Sequence, residues 1–238
     1  MEVLKERIAH ALAAEPYDAR ATLGQICEIP EFGSEFSMPN SGKHGYPLLE
    51  HTFMVCRMFE LAFPEWPFEQ WLSRTSFRLL LCLHDAGKPG ALRMENKGKQ
   101  HDLTVDMIKR YAYCWPLPET HLHMVLGLLS DDALGLFIRS KIDQEEAATR
   151  IRRMYWLSQR PRLDKFFKIL TVYYQADSGA YTRYAYTLPD PFIPKPKLEA
   201  VFLWRDDGSP IYDPGRKRLL FADPVESRYH RLKLSLTE

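Results

Sequence analysis

Residues 79–90 read LLLCLHDAGKPG, in which five apolar residues run without a break into His84 and Asp85. The apolar residues one helical turn before His84 place its imidazole on a stripe that should face the core. Gly87 favours a helix end and Pro89 prevents the helix from continuing, so the chain should turn away directly after the pair. The stretch therefore predicts a buried helix that carries an imidazole and a carboxylate to its carboxyl end.

Apolar periodicity close to that of an α-helix extends along the first three quarters of the chain and predicts an all-α helical bundle. Prolines mark several of the expected helix starts and ends. Residues 28–46 are polar and contain glycine, and they predict a loop that leads into the second helix. The predicted helices cover residues 2–14, 47–62, 67–86, 100–114, 118–130, 142–158 and 161–177.

The character of the sequence changes after residue 186. TLPDPFIPKPK is a proline-rich connector, and AVFLWRDDGSPIYD and RKRLLFADP indicate two short strands around Asp-Gly and Pro-Gly turns. We therefore predict a helical domain over residues 1–186 and a connector with a small C-terminal β-hairpin appendage over residues 187–238.

Composition indicates an ordinary globular protein, with 45% hydrophobic and 26% charged residues in 238. The 32 Lys and Arg residues nearly balance 31 Asp and Glu, so the net charge of +1 gives no bulk attraction to nucleic acid or to an anionic membrane. The charged N-terminal segment does not resemble a signal peptide, and no run approaches the roughly 20 apolar residues of a membrane span. Four cysteines stand singly, as buried thiols of a reducing compartment do. We expect a cytoplasmic protein with no membrane partner.

Two further polar residues interrupt apolar helix faces. His51 lies on an apolar stripe of one helix, and Asp177 ends another helix on the side of its apolar residues. An unpaired buried carboxylate is too costly to leave alone. Together with His84 and Asp85, these groups satisfy one another if they share a divalent cation, which accepts mixed nitrogen and oxygen ligands. The alternative for His84 and Asp85 is a hydrogen-bonded core histidine beside a surface aspartate.

The order of these residues resembles the HD-domain superfamily of metal-dependent phosphohydrolases. The similarity covers residues 44–180 and rests on His51 in LLEHTFMV, on His84 and Asp85 in LHDAGKP, and on Asp177 in YYQADSGAY. The resemblance implies a helical bundle whose metal is held by these four residues. It also implies hydrolysis of a phosphoester by metal-activated water. The metal is left open among Mn, Mg, Fe, Co, Ni and Zn.

Some members of that superfamily carry further histidines that hold a second metal or contact substrate. His101 resembles the first of these, and the alternative is that it only caps its helix. The next expected position falls at LLSDDALG, where Asp131 and Asp132 stand instead of the commoner histidine. Asp131 is the candidate ligand there, and a solvated carboxylate at a helix end is the alternative. We therefore expect a second metal to be weaker than the first.

Lys88 follows the His-Asp pair and, by the same resemblance, would bind the substrate phosphate. A flexible ammonium near a metal suits a phosphoryl oxygen. Asp85 is a candidate for a second role, because a carboxylate beside an activated water can orient or deprotonate it. The segment NSGKHGY has only a superficial likeness to a phosphate loop. Its place before the His51 helix nevertheless predicts Lys43, His44 and Tyr46 near the mouth of a substrate pocket.

We expect the substrate to be a nucleotide or a related small-molecule phosphoester. The basic and aromatic run at residues 150–162, RIRRMYWLSQRPR, leaves nucleic acid as a second choice, although such runs are more often solvated helix faces. Two other functions stay open: an HD-fold di-iron oxygenase, and a non-catalytic nucleotide-binding regulatory module. The sequence does not decide the oligomeric state.

Overall fold

Helices account for most of the chain in the computed structural model, which describes residues 2–41, 44–159, 162–182, 184 and 201–237. The predicted all-α class is confirmed, with only two small two-stranded sheets among these residues. The helices are α1 (Glu2–Ala13), α2 (Ala19–Cys27), α3 (Pro30–Ser37), α4 (Leu48–Ala62), α5 (Arg74–Leu83), α6 (Lys88–Arg93), α7 (Gln100–Arg110), α8 (Glu119–Leu129), α9 (Ala133–Ile138), α10 (Gln144–Leu157), α11 (Leu163–Gly179) and α12 (Val225–Thr237).

Helix α5 is the central element of the bundle. Every residue from Ser76 to Leu83 is buried, and the helix packs against α1, α4 and α8. Ser73 begins it, because its side chain accepts a hydrogen bond from the main-chain N–H of Ser76. His84 stands at its carboxyl end, where the sequence predicts it.

The turn after α5 depends on Gly87. A Cβ atom at this position would lie 2.4 Å from the main-chain nitrogen of Thr104 and 2.7 Å from the carbonyl oxygen of Gln100, so only glycine lets α7 approach this closely. The N–H of Gly87 also donates to the Thr104 hydroxyl at 3.0 Å. Close packing of α7 therefore fixes the position of the chain directly after Asp85.

The prediction of a loop over residues 28–46 is wrong for much of this stretch. Helix α3 occupies Pro30–Ser37, with proline in its first turn. Helix α2 lies before it in a stretch where no helix is predicted, and the Asp18 side chain caps it by accepting from the N–H groups of Arg20 and Ala21. The segment that remains forms β1 (Pro39–Ser41) and β2 (His44–Pro47), an antiparallel pair that leads into α4.

Two other helix boundaries differ from the prediction, and one further helix is present that was not predicted. Helix α5 begins at Arg74 and not at residue 67, because Ser73 caps it and residues 67–72 form turns. Helix α7 ends at Arg110, and a separate 3-10 turn follows it. Helix α9, from Ala133 to Ile138, lies in a region where none is predicted.

The C-terminal segment contains the predicted hairpin and a helix that is not predicted. Strands β3 (Tyr212–Asp213) and β4 (Arg218–Leu219) pair antiparallel, and Phe202 and Phe221 form a further bridge. Helix α12 packs against α10 and α11. Its buried residues are Val225, Tyr229, Leu232 and Leu236, whose spacing is that of one helix face.

The stretch Glu119–Ile138 is apolar and long enough to cross a membrane, with a mean hydropathy of 1.3 over its most apolar window. The structure divides it into α8 and α9, and 61% of that window is buried inside the protein. Core helices of globular proteins have the same composition, so the stretch is weak support for a membrane span.

Candidate metal centre

Four side chains from three parts of the bundle converge on one point. Nε2 of His51, on α4, lies 3.2 Å from Oδ1 of Asp177 and 3.6 Å from Oδ2 of Asp85. Nε2 of His84 lies 3.6 Å from the same two oxygens. The two imidazoles are fully buried, while Asp177, on α11, has a side chain that is 33% exposed. The structure thus brings together the four residues that the sequence analysis groups.

These distances match the spacing of ligands around one cation. Ligand atoms bound to a divalent ion at the usual lengths of ~2.0–2.2 Å lie about 3.0–3.5 Å from one another. The buried group of His51, His84 and Asp85 can hold a metal ion. Nε2 of His84 is buried and has no hydrogen-bond partner among the described residues, as a nitrogen reserved for a ligand would be.

The tautomer of His84 follows from its second nitrogen. Nδ1 lies 2.7 Å from the carbonyl oxygen of Leu81, which can only accept, so Nδ1 carries the proton. Nε2 is then the nitrogen with a free electron pair, and it points at the two carboxylates. A hydrogen bond from the distal nitrogen to a carbonyl is the usual support of a metal-binding histidine.

Burial and the two carboxylates act in opposite directions on the histidines. Burial lowers the pKa of His51 below its usual value, and its hydrogen bond to Asp177 does not compensate. Burial also lowers the pKa of His84, but Asp85 and Asp177 outweigh it and raise that pKa above its usual value. His51 is therefore uncharged at neutral pH, and the uncharged imidazole is the form that binds metals. At His84, the negative charges of Asp85 and Asp177 favour a positive charge on or beside the imidazole.

Asp85 is held by two further side chains. The ammonium of Lys88 donates to its Oδ2 at 2.7 Å, and the amide of Gln100 donates to its Oδ1 at 2.6 Å. Burial opposes the charge of Lys88, but Asp85 outweighs it, and the pKa of Lys88 lies well above its usual value. Lys88 is thus an ion-paired side chain, and not the free ammonium that a phosphate-binding role alone would suggest.

The centre lies on the wall of a cavity of about 370 Å³. Asp85, Lys88 and Asp177 line it, so both the centre and the ammonium face the same space. Tyr181 closes one side, because its ring lies 4.7 Å from that of His51 and its hydroxyl is 3.3 Å from Nε2. Sequence reasoning missed Tyr181 and Gln100. Tyr181 follows the end of α11 directly and shares a helical spacing with Asp177, whereas nothing in the sequence indicates Gln100.

His101 lines the same cavity, together with Asp131 and Asp132. Its Nδ1 lies 3.1 Å from the carbonyl oxygen of Leu129, which leaves Nε2 as the acceptor nitrogen. Arg150 donates to both oxygens of Asp131, and Arg139 is 2.5 Å from Oδ2 of Asp132. The predicted second set of ligands is therefore present in one cavity, but both carboxylates are already neutralised by arginine.

The predicted pocket-mouth residues 43–46 are not part of the cavity wall as far as the structure describes them. Lys43 lies outside the described residues, and His44 is described only as backbone of β2. Tyr46 is half-buried, its hydroxyl accepts from the Asn40 amide at 3.3 Å, and it does not line the cavity.

The basic run at residues 150–162 contributes to an adjoining cavity of about 580 Å³. Arg150 and Arg153 line it, and it shares His101 and Asp131 with the first cavity. Trp156 is 76% exposed, whereas Arg152 donates to the carbonyl of Ser235 on α12. Part of the run is thus structural, and part faces the cavity.

Comparisons of the chain with models of protein families, with curated proteins and with solved structures found no match.

Proposed function

We propose that the protein is a metal-dependent phosphohydrolase that cleaves a phosphoester of a nucleotide or a related small molecule. The observation that supports this most is the convergence of two histidine nitrogens and two carboxylate oxygens, 3.2–3.6 Å apart, on the wall of a cavity that also contains an ammonium group. The buried His51, His84 and Asp85 would hold the ion with Asp177.

A divalent ion bound there would lower the pKa of a coordinated water and polarise a phosphoryl oxygen. The side chains of the protein would supply the remaining functions. His51, His84 and Asp177 fix the position of the centre, and Asp85 would hold the attacking water on the cavity side. Lys88 lies 2.7 Å from Asp85, so its ammonium is placed to neutralise a phosphoryl oxygen beside that water.

The charge of the cavity supports dependence on a metal. Its lining includes the carboxylates of Asp85, Asp131, Asp132 and Asp177, the cations of Lys88 and Arg139, and the imidazole of His101. Lys88 pairs with Asp85, Arg150 with Asp131 and Arg139 with Asp132, so among the described lining residues Asp177 is the carboxylate without a Lys or Arg partner. A divalent ion beside Asp177 would add the net positive charge that attracts a phosphate.

The two adjoining cavities provide room for a substrate of nucleotide size. Small-molecule sites commonly enclose about 300–1,000 Å³, and the cavity at the centre measures about 370 Å³. The neighbouring cavity of about 580 Å³ adds Lys97, Arg150 and Arg153, which suit further phosphates or a sugar-phosphate. The proposed orientation places the scissile phosphate at Lys88 and the rest of the substrate toward Arg153.

Elemental analysis of the purified protein, combined with a metal-supplemented screen of nucleotides and simple phosphoesters, tests the proposal. We expect a bound transition metal or magnesium-like ion and release of phosphate or of a nucleoside phosphate. The activity should disappear in His84→Ala and persist in His123→Ala, which alters a histidine that does not line the cavity. Two bound irons without phosphoesterase activity would favour the oxygenase, and tight nucleotide binding without turnover would favour the regulatory module.

A further inference from the structure

A third cavity, with no lining residue in common with the metal centre, lies where α11, the β3–β4 turn and α12 meet. It measures about 280 Å³. Its wall contains cationic side chains from all three elements. These are Lys168 on α11, Arg216, Lys217 and Arg218 in the turn and β4, and Lys233 on α12.

The cations in this wall exceed the carboxylates. Glu226 is the one acidic residue among the lining residues that the structure describes. Its Oε1 is shared between Arg218 at 2.5 Å and Arg216 at 3.1 Å. Lys168 and Lys233 have no carboxylate within 4.0 Å in the described part of the chain, since neither forms an ion pair there. Two ammonium groups therefore face this space with their charge uncompensated.

The cavity differs from a patch of surface lysines because one of its cationic side chains, Arg218, is buried. Its side chain is only 7% exposed, and its guanidinium lies 4.5 Å from the ring centroid of Tyr229 and 5.1 Å from that of Phe221. It also donates to the carbonyl of Leu219 at 2.8 Å. The guanidinium is thus held rigidly at the cavity wall, which reduces the conformational entropy lost when a ligand binds.

Two hydroxyls also line the wall, but both protons are used within the protein, because Thr171 donates to the carbonyl of Phe167 at 2.7 Å and therefore accepts from Tyr229. The hydroxyls of Thr171 and Tyr229 lie 3.2 Å apart, and both residues line the cavity. Burial and the nearby Lys165 and Lys233 lower the pKa of Lys168, because burial and like charges both disfavour its ammonium form. Guanidinium and ammonium donors around one small space are the groups that bind phosphate oxygens.

We propose that this cavity binds a small polyphosphate anion, either free pyrophosphate or the phosphate chain of a nucleotide. Its size is below that of most sites for whole drug-sized ligands, which start at about 300 Å³, so the phosphates enter and any nucleoside stays outside. Several cationic donors favour a multiply charged anion over a single orthophosphate.

Hydrogen bonds join β4, beside this cavity, to the helix that carries Asp177. Leu219, next to Arg218, donates its N–H to the side-chain oxygen of Gln175 at 3.0 Å and accepts from the side-chain nitrogen at 2.8 Å. Gln175 lies on α11, two residues before Asp177.

Calorimetric titration of the full chain with pyrophosphate tests the proposal, with a chelator present so that the anion cannot bind through an ion at His51 and His84. The variant Lys168→Gln/Lys233→Gln removes the two uncompensated charges. The control variant Lys109→Gln/Lys141→Gln removes the same total charge from exposed side chains that do not line the cavity. Circular dichroism verifies that both variants are folded.

We expect saturable pyrophosphate binding that is at least about tenfold weaker in Lys168→Gln/Lys233→Gln, since each charged hydrogen bond contributes roughly that factor or more. In the control variant the affinity should stay within about twofold of wild type, because exposed charges away from the site contribute little. ATP should compete if its phosphates enter the cavity, and adenosine should not. No saturable binding, equal affinity in the two double variants, or binding of RNA or acidic vesicles but not of pyrophosphate would overturn the proposal.

Discussion

His84 donates its Nδ1–H to the main-chain carbonyl of Leu81 at 2.7 Å, at the carboxyl end of α5. Carbonyls in the last turn of a helix lack a partner within the helix, and here the side chain satisfies one of them. The same bond fixes the imidazole so that Nε2 faces Asp85 and Asp177. The end of this helix is therefore also the support of a candidate ligand.

We expect the purified protein to contain at least one divalent ion and Asp85→Ala to lose most of it. Removing Asp85 takes away an oxygen that lies 3.6 Å from both histidine nitrogens. The loss of affinity should exceed the roughly 10–100-fold that follows from removing an outer supporting residue. Mass spectrometry of the metal content measures this, with Asp102→Ala as a control at an exposed carboxylate. An unchanged metal content in both Asp85→Ala and His84→Ala would reject the site.

Lys88→Ala should lower kcat/KM for the phosphoester roughly 100-fold, the usual effect of removing one donor to a developing charge. The metal content should stay near that of wild type, because Lys88 contacts Asp85 but does not compete as a ligand. Lys99→Ala, which alters an exposed lysine paired with Asp102, is the matched control. Loss of metal in Lys88→Ala would show that the lysine holds Asp85 in place instead of binding substrate.

The buried arginine of α5 provides a test of the fold that is independent of the metal. Arg78, with a side chain only 2% exposed, donates to Glu60 at 2.9 Å, to Glu15 at 2.8 Å and to the carbonyl of Leu12 at 2.8 Å. Arg78→Met leaves the buried carbonyl of Leu12 without this donor and removes one of the two cations that pair with Glu60, so the free energy of unfolding should fall by about 1.5–3 kcal/mol. Urea denaturation measures it.

Arg74→Met is the comparison for that experiment. Arg74 also pairs with Glu60, but its side chain is 23% exposed, and Glu60 would keep its bonds to Arg78. The cost should be about 1 kcal/mol or less. If the two variants destabilise the protein equally, the network at Arg78 does not contribute as its burial indicates.

Helical periodicity was sufficient to predict the four central side chains as neighbours. His51, His84 and Asp177 each stand on an apolar helix face, and a polar residue on such a face has to find a partner inside the protein. The predicted start of α5, at Pro67, was wrong by several residues. The Ser73 side chain caps the helix, which therefore begins at Arg74. Signals for α2 and α12 were present in the sequence, at the Asp18 cap and at the spacing of Val225 and Tyr229.

The tertiary partners of the site could not be predicted in the same way. Gln100 reaches Asp85 only because Gly87 lets α7 approach the turn after α5. The pairing of Asp131 with Arg150 joins residues 19 positions apart on different elements. Such contacts depend on how the helices pack, and the local patterns of one sequence do not predict that packing.

The last prediction concerns the number of bound metal ions, which depends on the ion pair between Asp131 and Arg150. His101 offers one nitrogen, and Asp85 can bridge, but both oxygens of Asp131 accept from Arg150. A second ion bound by one imidazole, a shared carboxylate and waters binds more weakly than an ion held by two imidazoles and two carboxylates. Metal titration of stripped protein should therefore give one strong and one shallow step, and His101→Ala should abolish only the shallow one.

Arg150→Ala frees Asp131 and should make the shallow step tighter, whereas His123→Ala should change neither. Two equally tight steps in wild type, or loss of the strong step in His101→Ala, would show that the second set of ligands is as good as the first and would favour the di-iron oxygenase.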